Sequence, residues 1–123
     1  MTRILALQRL DEDEAQRVFH ALDFSKLAIG PDSAVVVASR GRFDEEAIEQ
    51  ALASEAGYVA LVAGKKRVRE ILGRLEAKGI APQTLARLRA PAGLEIGAET
   101  DAEIALSIMA EIVAVKRGQP RNA

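Results

Sequence analysis

The sequence predicts an α/β domain built on a short, mostly parallel sheet. Two continuous, largely apolar runs, A-V-V-V-A-S at 34–39 and Y-V-A-L-V-A at 58–63, indicate strands that are covered on both faces. Each run is followed by a segment whose apolar residues recur at helical spacing. Strands that alternate with helices in such short units form parallel sheets with helices packed against them.

The first elements follow from turn and capping signals. Residues 3–8, R-I-L-A-L-Q, form the first candidate strand. Asp11 and Glu14 have the spacing of a helix start, and the turn G-P-D-S at 30–33 separates that helix from the first apolar run. Asp44 begins the helix that lies between the two apolar runs.

Glycine and proline positions predict the elements that follow the second apolar run. A helix there should end at Gly79, because glycine suits the residue after a helix C-terminus. Pro82 suits the first turn of a short helix at 82–88. A short strand is then expected at 94–96.

The last helix is predicted to run from 101 to about 116. Thr100 and Glu103 have the spacing of a capping box at its start. We expect the helix to be well buried, because apolar residues cover much of its circumference. These residues are Ile104, Ala105, Ile108, Ile112 and Val115.

Composition excludes several classes of function. The 123 residues suffice for a single domain over 1–123, and the absence of cysteine excludes disulfides, thiolate metal sites and a cysteine nucleophile. The 17 basic and 18 acidic residues nearly cancel, so no overall field favours nucleic acid. Because no apolar run reaches membrane-spanning length and no signal-peptide pattern opens the chain, we expect a cytoplasmic protein that binds neither membrane nor nucleic acid.

No catalytic constellation is visible, so we expect a protein that is not an enzyme. The only histidine, His20, lies far in sequence from the strand ends, and Ser39 has no histidine partner nearby. The acidic residues at 44–46 are explained by the dipole of the helix that begins there. A metal site would need carboxylates alone, and no spacing suggests one.

The candidate binding site lies at the carboxyl ends of the predicted strands, where ligands bind in open α/β sheets. Loops at 39–42, 64–67 and 97–100 should meet there, and each contains a glycine. The K-K-R run at 65–67 stands at a helix start, where the macrodipole disfavours positive charge, and a bound anion would account for it. Lysines solvated at a loop edge are the alternative. The candidate residues are Ser39, Arg40, Gly41, Arg42, Gly64, Lys65, Lys66, Arg67, Gly93, Gly97 and Thr100.

The stretch R-A-P-A-G-L-E-I-G-A-E-T at 89–100 matches neither the dinucleotide-binding nor the P-loop pattern. Gly93 and Gly97 are predicted to make tight turns on either side of a short strand. Glu95 and Glu99 would repel a phosphate. We therefore expect this stretch to position backbone, while the two basic loops hold any anion.

Several blocks of the sequence resemble the C-terminal half of the XdhC/CoxI family. The first two are A-V-V-V-A-S-R-G-R-F-D-E-E-A-I-E-Q-A-L and Y-V-A-L-V-A-G-K-K-R, and the resemblance covers 33–118. The most specific block is 89–118. There the family shows a proline, then G-L-[DE]-[IL]-G-A-x-T, then a helix that ends in a form of A-E-I-V, and this chain has P-A-G-L-E-I-G-A-E-T followed by A-E-I-V.

The resemblance implies a Rossmann-like, three-layer domain and an accessory role. XdhC-like proteins serve molybdenum hydroxylases such as xanthine dehydrogenase and carbon monoxide dehydrogenase. They bind molybdenum cofactor and help its sulfurated form reach the apoenzyme. The implied partner is therefore a molybdenum hydroxylase subunit or a cofactor-maturation protein, and the family's strand-end loops fall on 39–42, 63–67 and 93–100 of this chain.

Some features depart from the family pattern. This chain has no counterpart of the family's N-terminal domain or of the glycine-rich turn after its first Rossmann strand. Residues 1–30 match nothing obvious in the family. Asp101 stands where the family usually has proline. We therefore expect a stand-alone partial domain. Half a Rossmann sheet leaves a strand edge or a face exposed, which predicts a homodimer or a partner that completes the sheet.

Two other functions stay open from the sequence. One is a nucleotide-binding, oxidoreductase-like domain, although NAD(P) is not expected because Q-R-L-D-E-D-E at 8–14 contains no glycine. The other is a purely structural interaction module, in which the three loops are plain turns.

Overall fold

A four-stranded, fully parallel sheet forms the centre of the domain, and its strands lie side by side in chain order. The computed structural model describes residues 3–7, 29–38 and 44–118. The predicted fold class is confirmed, since helices flank a short parallel sheet. Strand β1 spans Arg3–Leu7, β2 spans Ser33–Val37, β3 spans Tyr58–Leu61 and β4 spans Leu88–Arg89.

Four helices are present within the described residues. Among them, no helix has the length and apolar character needed to cross a membrane. Helix α1 spans Asp44–Ala53, α2 spans Lys65–Ala77, α3 spans Pro82–Leu85 and α4 spans Asp101–Lys116.

The two central strands are buried on both faces, as the continuous apolar runs predict. In β2 and β3 every residue is buried. Val35 pairs with Val59, and both pack into a core shared with α1 and α2. Ala34 pairs with Tyr58, and both face the opposite side, towards α4. Alternation along each strand therefore makes two cores and three layers.

Handedness explains why α1 and α2 lie on the same face. The chain moves from β2 to β3 to β4 in one direction across the sheet. Because such crossovers are right-handed, successive crossovers in one direction put their helices on one side. Ile48 of α1 and Ile71 of α2 accordingly share one core with β2 and β3. After β4 the chain passes to the other face, where Ile108 and Ile112 of α4 pack.

The segment before α4 differs from the sequence-based prediction. The helix expected at 82–88 ends at Leu85, and the next strand is Leu88–Arg89, not 94–96. Leu88 pairs with Val59 and Arg89 with Ala60, so contact with β3 decides where the strand forms. The sequence also suggests a strand residue at the sheet edge for Tyr58, but β3 lies between β2 and β4, so Tyr58 stands on an inner strand.

Helix α4 is buried on one side only, contrary to the prediction that it is well buried. Ile108 and Ile112 face the sheet. Leu106 is 62% exposed, Val113 is 53% exposed and Met109 is 43% exposed. An apolar circumference therefore does not mean burial here, and one apolar face of α4 is open to solvent.

Candidate functional site

A groove of about 550 Å³ opens at the carboxyl edge of the sheet. The turn after β3, at 63–65, forms one wall. The loop after β4, at 91–98, forms the opposite wall. Ile104 and Ser107 of α4 complete the lining. The groove therefore lies where open parallel sheets bind their ligands.

The first wall presents the N-terminus of α2. Gly64 is the N-cap residue, and no side chain caps the helix there. The first turn contains no acidic residue, and Lys65 is the first residue of the helix. A helix begun in this way offers backbone N–H groups and a positive dipole end beside a lysine ammonium. This wall suits an anion.

The second wall is tied to the sheet by a backbone hydrogen bond. The N–H of Ala92 donates to the carbonyl of Leu61, the last residue of β3, at 2.9 Å. The loop after β4 therefore continues along the end of β3 before it turns towards α4. The predicted strand at 94–96 is instead irregular backbone that lines the groove.

Gly93 is the point at which this loop touches α4. Its φ of +96° lies in the left-handed region that favours glycine. A Cβ atom at this position would stand 2.3 Å from the hydroxyl oxygen of Ser107 and 3.2 Å from the backbone nitrogen of Ile108. The N–H of Leu94 donates to the carbonyl of Ser107 at 3.1 Å. Glycine is required here by both conformation and space.

Glu111 connects the loop, the sheet and α4. Its side chain is buried, with 1% exposed. The Oε1 atom accepts a hydrogen bond of 3.0 Å from the N–H of Gly93 and one of 2.5 Å from the hydroxyl of Tyr58. Buried polar groups hold position well when they are hydrogen-bonded in this way. Tyr58 and Glu111 therefore fix the second wall against the sheet.

The capping box at Thr100 is confirmed. The Thr100 hydroxyl accepts from the N–H of Glu103 at 3.1 Å, and the Glu103 carboxylate accepts from the N–H groups of Thr100 at 3.0 Å and Glu99 at 2.9 Å. The bonds from the backbone N–H groups of Thr100 and Glu99 lower the pKa of the Glu103 carboxyl. The box anchors the far end of the groove loop to the start of α4.

The structure brings four of the predicted site residues to the groove, namely Gly64, Lys65, Gly93 and Gly97. Gly97 adopts a φ of +76° with open space around the position of a Cβ atom. Thr100 caps α4 beside the groove. The remaining predicted loop, Ser39, Arg40, Gly41 and Arg42, lies outside the described residues.

The other two residues of the K-K-R run do not line the groove. Lys66 is exposed on α2. The Arg67 guanidinium lies 3.4 Å from the buried Asp44 carboxylate, which joins the starts of α1 and α2. Arg67 therefore serves the packing of these two helices.

Exposed ion pairs also link α1 to the C-terminal part of α2. Arg74 donates to Glu45 at 3.0 Å, and Lys78 donates to Glu49 at 2.7 Å. The hydrogen bond from Arg74 lowers the pKa of the Glu45 carboxyl, and the hydrogen bond to Glu49 raises the pKa of the Lys78 ammonium. These groups pair across helices and lie outside the groove.

Sequence reasoning missed the residues of α4 that shape the groove. Ser107 and Glu111 are both buried polar residues on a helix that is otherwise largely apolar. A single acid within the apolar run I-A-L-S-I-M-A-E-I-V was the available signal. Within the described ranges, no group of histidine, aspartate or glutamate side chains could hold a metal ion.

Comparison with known proteins places this geometry in a family. The model of the XdhC Rossmann domain matches residues 3–112, so the match starts ahead of the blocks that carry the resemblance in the sequence. The uncharacterized protein YqeB of Escherichia coli strain K12 is 40% identical over 94 residues, which cover 76% of this chain and 17% of YqeB. A crystal structure described as a xanthine dehydrogenase from Bacillus halodurans superposes with a TM-score of 0.64 and 22% identity, over 98% of this chain and 44% of that one.

The chain therefore spans less than half the length of either of these two proteins, and the crystal structure, at 22% identity, supports the fold alone. The family match and the fold agree with the sequence blocks that carry the resemblance. The chain belongs to the XdhC Rossmann domain family.

Proposed function

We propose that this chain is a non-catalytic maturation factor for molybdenum hydroxylases, and that its groove receives the phosphate-bearing part of molybdenum cofactor. The observation that carries the proposal is Lys65, which lines the groove at the N-terminus of α2. The family match and the xanthine dehydrogenase name of the structural neighbour support a molybdenum hydroxylase as the client enzyme. The cofactor is cargo in this proposal, and the partner is a hydroxylase subunit or another maturation protein.

The residues of the groove fit such a cargo in two parts. The ammonium of Lys65 and the N–H groups of the first turn of α2 would pair with phosphate. The opposite wall offers apolar surface, since Leu94 and Ile96 line the groove and Ile96 is 52% exposed. A flat heterocycle would cover that surface. Glu95 also lines this wall, so the phosphate belongs on the Lys65 side.

The site is tested by titrating the purified protein with molybdenum cofactor and measuring Kd. Lys65→Glu should weaken binding about tenfold or more, because it removes a charge-assisted hydrogen bond and adds repulsion. The variant should stay folded, since an acid at the first position of a helix is favoured by the dipole. Arg69→Glu is the matched control, because Arg69 is exposed on α2 and does not line the groove.

The possible outcomes distinguish an error in the proposed binding site from an error in the proposed maturation function. Unchanged binding by the Lys65→Glu variant would sink the groove as the site while the maturation role stands. If the wild-type protein captures a molybdenum hydroxylase but never binds cofactor, the chain is a structural interaction module. A melting temperature raised by NAD or NADP, with no effect of cofactor, would favour the nucleotide-binding alternative.

A further inference from the structure

Two side chains of opposite charge stand on opposite walls of the groove. Lys65 lines the first wall and Glu95 lines the second. Both are exposed, and within the described residues neither side chain takes part in an ion pair or a hydrogen bond. The groove therefore has a positive side and a negative side, and both charges are available to a ligand that spans it.

The carboxylate of Glu95 opposes a ligand that is anionic along its whole length. The first wall suits an anion, because Lys65 stands there at the start of α2. A carboxylate in the same groove repels that anion. A ligand whose other end donates hydrogen bonds gains from the same carboxylate, because hydrogen bonds to an ionised acceptor are strong. The two charges together fit a ligand that is anionic at one end and a hydrogen-bond donor at the other.

Apolar side chains surround Glu95 in the groove. Leu94 and Ile96, its neighbours in sequence, both line the groove, and Ile104 of α4 lines it as well. A flat ring that covers apolar surface places its polar rim at the border of that surface. A carboxylate has two oxygen acceptors and therefore matches two N–H donors that lie side by side. An aminopyrimidinone ring has such an edge, where an exocyclic amino group stands beside a ring N–H, and both guanine and the pterin of molybdenum cofactor contain this ring.

The backbone that carries Glu95 is held on both sides by α4. The N–H of Leu94, the residue before it, donates to the carbonyl of Ser107 at 3.1 Å. The N–H of Glu99, four residues after it, donates to the Glu103 carboxylate at 2.9 Å. A loop that is held in this way loses little further freedom when a ligand binds, so its acceptor contributes more to affinity.

We propose that Glu95 determines the specificity of the groove by accepting hydrogen bonds from the aminopyrimidinone edge of a phosphate-bearing heterocycle. This assignment rests on the proposed function for the position of the phosphate beside Lys65. It adds the class of ring that the groove accepts and the direction in which the ligand lies. A ring without the amino group offers the carboxylate one donor fewer, and a site built to bind such a donor discriminates against the analogue that lacks it.

Guanosine monophosphate and inosine monophosphate are suitable probes, because they carry the same phosphate and differ only in the exocyclic amino group. The full chain is titrated with each, and Kd is measured. The wild-type protein should bind guanosine monophosphate about tenfold more tightly than inosine monophosphate. Glu95→Gln should abolish this preference and raise the Kd for guanosine monophosphate about tenfold. If Glu95 only repelled phosphate, the same variant would bind both probes more tightly than wild type.

Glu99→Gln is the matched control. It removes the same charge from the same loop, but Glu99 lies outside the groove lining, and only its backbone N–H takes part in the capping box. The variant should keep the preference for guanosine monophosphate. Lys65→Glu should weaken both probes by a similar factor and leave the ratio of the two Kd values unchanged, because both probes carry the phosphate.

Titration with molybdenum cofactor itself separates this assignment from the proposed function. Glu95→Gln should raise the Kd for the cofactor about tenfold. If Lys65→Glu weakens cofactor binding while Glu95→Gln leaves it unchanged or tightens it, the role of Glu95 is wrong and the proposed function stands. If the wild-type protein shows the preference for guanosine monophosphate but does not bind the cofactor, the cargo in the proposed function is wrong and the role of Glu95 stands. A wild-type protein that binds neither guanosine monophosphate nor the cofactor would overturn both.

Discussion

The backbone N–H of Gly93 donates a hydrogen bond of 3.0 Å to the buried carboxylate of Glu111. The two residues are 18 apart in the chain. This contact joins the loop that forms one wall of the groove to the middle of α4. Because Tyr58 donates to the same oxygen atom, the wall, the helix and strand β3 are held by one buried acceptor.

Gly93→Ala should destabilise the fold strongly. The residue would need a positive φ and its Cβ atom would overlap Ser107, so we expect a loss of about 2–4 kcal/mol in the free energy of unfolding. Denaturant titration measures the loss. Gly97→Ala has the same conformational cost without the overlap and should lose about 1–2 kcal/mol. Equal losses at the two positions would contradict the close approach at Gly93.

Glu111→Ala should be among the costliest substitutions in the domain. It removes the acceptor shared by Tyr58 and Gly93, and it leaves a cavity, so we expect a loss of roughly 3–5 kcal/mol. Tyr58→Phe should cost about 1–2 kcal/mol. A double-mutant cycle measures the coupling between the two side chains, which should be at least about 0.5 kcal/mol because they are in contact. Additive losses would mean that the hydroxyl of Tyr58 stabilises the fold through another group.

Local signals in the sequence were sufficient for much of this fold. Thr100 and Glu103 are three residues apart, and their mutual capping depends on nothing outside that turn. The buried strands β2 and β3 were predicted because parallel strands covered on both faces are continuously apolar. Gly79, with a φ of +87°, follows α2 as expected of a residue after a helix C-terminus.

Contacts between distant residues account for what could not be predicted. Leu88 forms a strand because it pairs with Val59, and no spacing near Leu88 indicates that register. The role of Glu111 depends on Tyr58, which is 53 residues away. At the groove, the position of Lys65 at a strand end was predictable from topology, whereas Ser107 joined the lining only through the packing of α4.

The capping box predicts a pH dependence of stability. The folded-state pKa of Glu103 is lowered from 4.5 by bonds from backbone N–H groups. Its contribution is therefore complete above the unfolded pKa and is lost as the pH falls through the folded pKa. Glu103→Gln removes this titration. The difference in melting temperature between wild type and variant should shrink on acidification from neutral pH to below pH 4.5. A difference in melting temperature that stays constant over this pH range would contradict a stabilising role for the capping box.

The side chain of Arg87 binds backbone carbonyl groups at and after the end of α1, and no turn signal in the sequence indicates this contact. Its guanidinium donates to the carbonyl of Leu52 at 2.7 Å and to that of Ala56 at 2.8 Å. A third contact reaches the carbonyl of Ser54 at 3.5 Å. The last carbonyls of a helix lack partners within the helix, so one side chain here satisfies the backbone between α1 and β3.

Arg87→Ala should therefore cost about 1–2 kcal/mol in the free energy of unfolding, because carbonyl groups that are partly buried lose a charged donor. Arg87→Lys should recover only part of this, since a single ammonium cannot reproduce the planar fork that reaches several carbonyls at once. Denaturant titration of both variants tests the prediction, with Arg69→Ala as an exposed control expected within about 0.5 kcal/mol of wild type. A lysine variant as stable as wild type would show that a positive charge is sufficient to stabilise these carbonyl groups and that the planar fork of arginine is not needed.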